Sequence, residues 1–182
     1  SAIMKNPAEF YMPATDAATG RATYFSKYDI VRDDYRAVMA SCALPGFCRP
    51  VKVGDRYYYD GGVADSIPLH HAIEHGCTKM VVILSNPRDF VKKPEAHRPL
   101  YKHMLHKYPK TIQSIDNRHI NYQASINLAC RLEKEGYVFI FAPSRHMPLS
   151  TFSKDAALEQ DLYDLGVADY EARAEELKHF LN

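Results

Sequence analysis

Asp60 is the residue whose setting most invites chemistry. It closes the run Arg56-Tyr-Tyr-Tyr-Asp60 and is followed by Gly61-Gly62 and then Val-Ala-Asp-Ser-Ile-Pro68. A carboxylate at a strand end, just before two glycines, sits where the backbone can turn sharply. Held rigidly there, it can act as a general base, which must lie within about 2.6–3.2 Å of the proton it removes. Asp-Gly is also an ordinary turn sequence, so the triplet says little by itself. Its neighbour upstream, Ala40-Ser-Cys-Ala-Leu-Pro-Gly-Phe-Cys-Arg-Pro50, adds context.

Other residues carry weaker signals. His71 and His75 stand four apart on an expected helix, a spacing that can bind zinc, but the sequence His-Ala-Ile-Glu-His lacks the H-E-x-x-H glutamate. Surface histidines explain them more simply, and no metal is expected. Cys42 and Cys48 sit in no nucleophile elbow, and the scattered set Cys42, Cys48, Cys77 and Cys130 contains no C-x-x-C pair. Reduced thiols in a cytoplasmic protein are the expectation, with a Cys42–Cys48 disulfide left open. His119 falls on an apolar helix face and reads as a satisfied core histidine rather than a ligand.

The elements that must position Asp60 follow from pattern. Phe10–Ala14 and Arg21–Ser26 read as strands joined by the turn Asp16-Ala-Ala-Thr-Gly20, with Asp16 capping its own backbone. A helix is expected over Tyr35–Leu44, capped by Asp33 or Asp34 and stopped by Pro45-Gly46. Val51–Val53 and Arg56–Tyr59 form a hairpin across Gly54-Asp55. A helix runs from Pro68 to Glu74 and ends at Gly76. Lys79-Met-Val-Val-Ile-Leu84 is a continuous apolar run suited to a parallel strand buried on both faces. Residues 86–99 read as a loop. Ile112, Ile115, His119, Tyr122, Ile126 and Ala129 mark one face of a long helix from about Pro109 to Glu135, ended by Gly136. Tyr137–Phe141 is another strand, and Ser153–Leu181 reads as one or two helices broken near Gly166. The alternation is that of an α/β protein.

Composition narrows the function classes. The 182 residues are 46% hydrophobic, enough for a core, and the formal charge of +1 gives no global bias toward nucleic acid. No run approaches the roughly 18 apolar residues of a membrane-spanning helix, and no signal peptide is visible. The segment 88–110 holds seven Lys or Arg against two acids, with tyrosines and histidines interleaved. It suits contact with an anionic membrane surface, although an ordinary solvated loop and helix face is the preferred reading. A nucleic-acid partner is not expected. Residues 155–182 carry eight acids against two bases, as an acidic surface helix would.

Taken together, the segments of residues 40–50 and 59–68 resemble the A-S-x-A-x-P-x-x-x-x-P and D-G-[GA] blocks of patatin-like phospholipases. The Ala14-Thr-Asp-x-x-Thr-Gly20 hairpin and the Val81–Leu84 strand resemble further blocks of that family. Phe141-Ala-Pro-Ser144 and Leu162-Tyr-Asp-Leu-Gly166 resemble a bacterial branch. The likeness runs from about Phe10 to Tyr170. It implies an α/β acyl-hydrolase fold with a central, mostly parallel sheet flanked by helices, here incomplete, and a helical C-terminal tail. It divides the chain into residues 1–145, the C-terminal part of a catalytic domain, and 146–182, a helical extension. It also implies a Ser–Asp dyad acting on lipid or ester substrates without a cofactor. Carried over by this resemblance, Asp60 corresponds to the catalytic aspartate, and Gly61 and Gly62 are expected to shape its turn.

None of the eight glycines opens a G-x-S-x-G, and no glycine-rich oxyanion loop is present. Cys48-Arg49 stands where the family often has an aromatic followed by proline. The expectation is therefore a piece of a lipid acyl hydrolase, inactive alone and peripheral to the membrane at most. It is expected to dimerise or to retain an N-terminal piece of the same protein. The alternative is a non-catalytic binding or scaffold domain that kept the fold.

Overall fold

The structure, a computed structural model, describes residues 2–96, 98–148 and 155–182. The chain divides into two units, Ser1–Pro68 with Lys92–Ser125, and Leu69–Val91 with Ile126–Asn182.

The first unit is built on a four-stranded antiparallel sheet. Its strands are β1 (Tyr11–Asp16), β2 (Ala22–Ser26), β3 (Val51–Val53) and β4 (Arg56–Asp60), in the order β2-β1-β4-β3. Two tight turns dictate the antiparallel sense. Asp16 Oδ1 accepts hydrogen bonds from the Ala18 and Thr19 amides and the Thr19 hydroxyl, and Gly20 at φ 68° completes the reversal. Gly54 at φ 58° does the same for β3–β4. Short α1 (Ala2–Lys5) precedes the sheet, and α2 (Arg36–Ser41) packs on it.

Alternation sends neighbouring side chains to opposite faces. Tyr58 joins Met12, Ala14, Phe25, Ala37 and Ala40 in one apolar cluster, while Tyr59 joins Ala17, Val63, Leu105, Ile112 and Ile115 in another. The second cluster is roofed by α4 (Arg98–Met104) and the first turns of α5 (Pro109–Lys134). Thr111 Oγ1 donates to the Ala17 carbonyl at 2.8 Å and Ser114 Oγ to the Gly20 carbonyl at 2.7 Å, so α5 is bonded directly to the β1–β2 turn.

The second unit holds α3 (Leu69–Glu74), the parallel pair β5 (Met80–Ile83) and β6 (Val138–Phe141), the end of α5, and α6 (Ala156–Leu181). The free edge of β6 is sealed by side chains. The Ile140 amide donates to Glu133 Oε1, and its carbonyl accepts from Arg88 Nη2 at 3.0 Å and Arg173 Nη1 at 2.7 Å. The Arg173 guanidinium also lies over the Phe139 ring at 4.4 Å, which joins α6 to the strand. No such seal covers the outer edge of β5 among the described residues.

Five expectations are corrected. In place of one mostly parallel sheet, the described residues form a four-stranded antiparallel sheet, its hairpins closed by tight turns, and a separate parallel pair, β5–β6. The run at residues 79–84 is buried on one face only: Met80, Val82 and Leu84 are inside, while Val81 is 40% and Ile83 80% exposed. Helix α4 forms within the basic segment, where pattern suggested a loop up to Pro99; Pro99 falls in the first turn, which needs no amide there. Helix α6 runs unbroken through Gly166, around which there is open space, at a cost of about 1 kcal/mol for glycine in a helix. The expected start of that tail at Ser153 lies outside the described residues. The helix near Tyr35 is shorter than expected, Arg36–Ser41, and lacks the expected aspartate cap: Tyr35 stands at the N-cap position with no side-chain cap bond, while Asp34 accepts from the Arg36 amide at 3.2 Å. Among the described residues, no helix is long and apolar enough to cross a membrane.

Glu133 makes the second unit sensitive to acid. Hydrogen bonds from Arg88 hold its carboxyl below the usual range, against the opposing effect of burial and with help from the Ile140 amide. The folded-state pKa is depressed. Its stabilisation is therefore present above the ordinary value of about 4.3 and is lost as pH falls through the folded value. Thermal unfolding midpoints should fall below about pH 4 in the parent chain. Glu133→Gln should start lower at pH 7 and fall less; parallel curves for the two proteins would contradict this role.

Candidate functional site

Asp60 is fixed at three points. Its amide donates to the Ala43 carbonyl at 2.8 Å, its carbonyl accepts the Thr15 hydroxyl at 2.8 Å, and its Oδ1 accepts the Gly62 amide at 2.7 Å. The last bond makes Asp60 the cap of a single 3-10 turn, Gly61–Val63. The side chain is half-buried, neither sunk in the core nor fully solvated. Among the described residues, Oδ2 accepts no hydrogen bond.

Each anchor comes from a nearby element. Strand β1 places Ala14 opposite Asp60 in the ladder. Thr15, fully buried, accepts the Ala64 amide at 3.2 Å while donating to Asp60, so one hydroxyl bridges the entry and exit of the turn. The Ser41 hydroxyl donates to the Pro13 carbonyl at 2.7 Å, which ties the end of α2 to β1. Gly61 passes so close to β1 that a Cβ there would lie 2.3 Å from the Pro13 carbonyl oxygen. Only glycine fits. At Gly62 a Cβ would meet Asp60 Oδ1 at 3.0 Å, a tighter than ordinary contact with a side-chain atom.

The far side of the turn is held by charge and hydroxyls. The Gly62 carbonyl accepts from Ser66 Oγ at 2.7 Å and from Arg118 Nε at 2.7 Å. Arg118 Nη1 pairs with Glu95 at 2.9 Å. The Tyr24 hydroxyl donates to Asp65 at 2.5 Å, linking β2 to the residues after the turn. Tyr59, next to Asp60, is pushed up to about 12 by burial and by Tyr108, so it stays a neutral phenol at physiological pH.

His71 and His75 stack with ring centroids 4.0 Å apart, and no group of three or more His, Cys, Asp or Glu suited to a metal lies among the described residues. All four cysteines are free thiols, with Cys42, Cys48 and Cys77 exposed. His119 is half-buried on α5, but its Nδ1 is buried without a hydrogen-bond partner among the described residues, so it is not the satisfied histidine expected.

Thr15, Ser41, Ser66 and Arg118 were not singled out from sequence. Thr15 was within reach, since it stands inside the Ala14-Thr-Asp block that pairs with Asp60. Arg118 carries no local signal, because its partner lies 56 residues away.

The two glycines should differ sharply on substitution. Gly61→Ala, which must displace backbone, should lower stability by about 2–3 kcal/mol. Gly62→Ala, which meets only side-chain atoms, Asp60 Oδ1 at 3.0 Å and Arg118 Nη2 at 3.4 Å being the nearest, should cost less than about 1 kcal/mol. Urea unfolding of both variants checks this, and equal midpoints would contradict it.

Comparison with known proteins divides the chain in two. No curated protein matches it. Residues 108–182 match the model of a family described as a domain of unknown function, DUF6363. Residues 10–73, which carry Asp60 and all of its direct hydrogen-bond partners, match the model of the patatin-like phospholipase family.

Proposed function

We propose that this chain carries the base of a serine acyl hydrolase of phospholipase, lysophospholipase or esterase type, and that Asp60 is that base. The observation that carries the reading is the asymmetry of its carboxylate. Oδ1 is engaged by the Gly62 amide at 2.7 Å, whereas Oδ2 accepts nothing among the described residues and belongs to a half-buried side chain. One oxygen sets the geometry and the other is left for a proton. The patatin-like phospholipase match over residues 10–73 supports the same chemistry.

The serine comes from outside these 182 residues, which contain no G-x-S-x-G. In the full-length protein its Oγ–H gives its proton to Asp60 as Oγ bonds to the ester carbonyl carbon. The tetrahedral intermediate collapses, the C–O bond to the alcohol breaks, and protonated Asp60 returns its proton to the departing alkoxide. Asp60 then deprotonates water, which attacks the acyl-serine. The fatty acid leaves, and the serine recovers its proton from Asp60. The oxyanion needs amide donors, which travel with the serine segment.

Residues 1–145 are the C-terminal part of the catalytic domain in this reading, and 146–182 are its helical extension. The exposed Val81 and Ile83 leave one face of β5 uncovered, where a parallel strand is ordinarily covered on both faces. Its outer edge, unsealed among the described residues, has room for an additional strand. That strand is supplied by the serine-bearing segment or, in the isolated chain, by a second copy.

Membrane contact is narrower than the charge of segment 88–110 suggests. Arg88, Lys92 and Arg98 are paired with Glu133, Glu95 and Asp116. Lys93, Lys102, Lys107 and Lys110 remain to meet an anionic surface, beside exposed Leu100 and Met104.

In the full-length protein, Asp60→Asn and Asp60→Ala should lower esterase kcat by about 10²–10⁴-fold, the usual contribution of a positioned base. Near-normal turnover in either variant would refute the assignment. The isolated 182-residue chain should hydrolyse no p-nitrophenyl ester above background, and measurable turnover would show that it holds a nucleophile of its own. It should also elute above monomer mass in light scattering at micromolar concentration; a monodisperse monomer would contradict the open-edge reading of β5.

A further inference from the structure

We infer that Arg118 is a positioning residue for the Asp60 carboxylate, acting through the carbonyl of Gly62. The inference rests on the reading of Asp60 as the base. Its chain of contacts is continuous: Asp60 Oδ1 is held by the Gly62 amide at 2.7 Å, and the carbonyl of the same residue is held by Arg118 Nε at 2.7 Å. The Gly62 carbonyl and amide lie on successive peptide planes, and the 3-10 turn, in which the Gly61 carbonyl accepts the Ala64 and Asp65 amides at 3.1 and 2.9 Å, limits the two torsions between them, so that a hold on the carbonyl is passed to the amide.

The arginine is itself aimed. Nη1 is paired with Glu95 at 2.9 Å, and Glu95 also pairs with Lys92 at 3.5 Å. With Nε and Nη1 engaged by different acceptors, the planar guanidinium has little rotational freedom. The remaining nitrogen, Nη2, borders the turn. A Cβ built on Gly62 would lie 3.4 Å from it and 3.0 Å from Asp60 Oδ1, so both atoms face the same point beside Gly62. Ser66 Oγ shares the Gly62 carbonyl, but it is only four residues away and moves with the turn. Beside the apolar packing of Val63 with Ile112 and Ile115, Arg118 adds a directed hydrogen bond from α5 to the turn, and α5 is anchored independently by Thr111 and Ser114. It lies in the stretch matching DUF6363, outside the patatin-like match, so the second segment orients the base of the first.

The test uses two readouts. In the 182-residue chain, hydrogen exchange of the Gly62 amide reports the bond to Asp60. Arg118→Ala should speed that exchange about tenfold, the factor for one net hydrogen bond. Arg118→Lys keeps the charge but loses the two-acceptor fork, and should fall between parent and alanine variant. Lys178→Ala removes an exposed ion pair with Glu175 within α6 and should change nothing. In the full-length protein, Arg118→Ala should lower kcat by about 10–100-fold at nearly constant KM, as expected when a base is displaced by up to about 1 Å.

Unchanged Gly62 exchange in Arg118→Ala would overturn the inference, as would loosened exchange with parental kcat. If the alanine variant does not fold, Arg118→Lys decides by the same two measurements. If the parent shows no Asp60-dependent turnover, the proposed function fails, while Gly62 exchange still decides whether Arg118 governs the turn.

Discussion

Gly61 runs against β1 so closely that a Cβ would sit 2.3 Å from the Pro13 carbonyl oxygen, and the geometry of the site follows from that approach. Because the turn can lie flat on the strand, the buried Thr15 hydroxyl can bridge Asp60 and Ala64 at once. With both ends of the turn bound to β1, the Asp60 side chain has one arrangement in which Oδ1 reaches the Gly62 amide. Sheet, turn and carboxylate are thus one rigid unit. Rigidity of this kind is what proton transfer requires, since a base must already stand at its reacting distance.

The two matched segments contribute differently to that unit. Residues 10–73 supply the carboxylate and its direct partners, and they fold as short antiparallel strands joined by two-sided turns. Within the stretch 108–182, α5 begins on the β1–β2 turn and carries Arg118 to the back of the Asp60 turn, while α6 is clamped to β6 by Arg173. Two arginines of the latter stretch end on backbone carbonyls, Arg173 on that of Ile140 and Arg118 on that of Gly62; Arg88, from outside the stretch, also reaches the Ile140 carbonyl. Arginine suits this use because its fork satisfies a carbonyl and a carboxylate together.

Much of the first unit was legible in the sequence because its signals are local. Asp16 with Gly20, Gly54-Asp55 and Asp60-Gly-Gly each specify a turn within a few residues, and the strands follow. Sheet orientation was not legible in the same way. The apolar run at residues 79–84 does not distinguish a strand buried on both faces from one with Val81 and Ile83 exposed. Helix α4 was hidden by a basic, Pro-containing sequence, and the continuity of α6 by Gly166, whose penalty is small against a helix of 26 residues. The least legible feature was Arg118, because a side chain that bonds a carbonyl 56 residues away leaves no mark on either stretch of sequence.

The account stands or falls on where the proton of the nucleophile goes. A crystal structure of the full-length protein, with its serine trapped as a phosphonate ester, tests this most directly. The account predicts an Asp60 carboxylate oxygen within about 2.6–3.2 Å of that serine Oγ, with the Gly62 amide still bonded to the other oxygen. A trapped serine served by a histidine, with Asp60 beyond hydrogen-bonding reach, would contradict it.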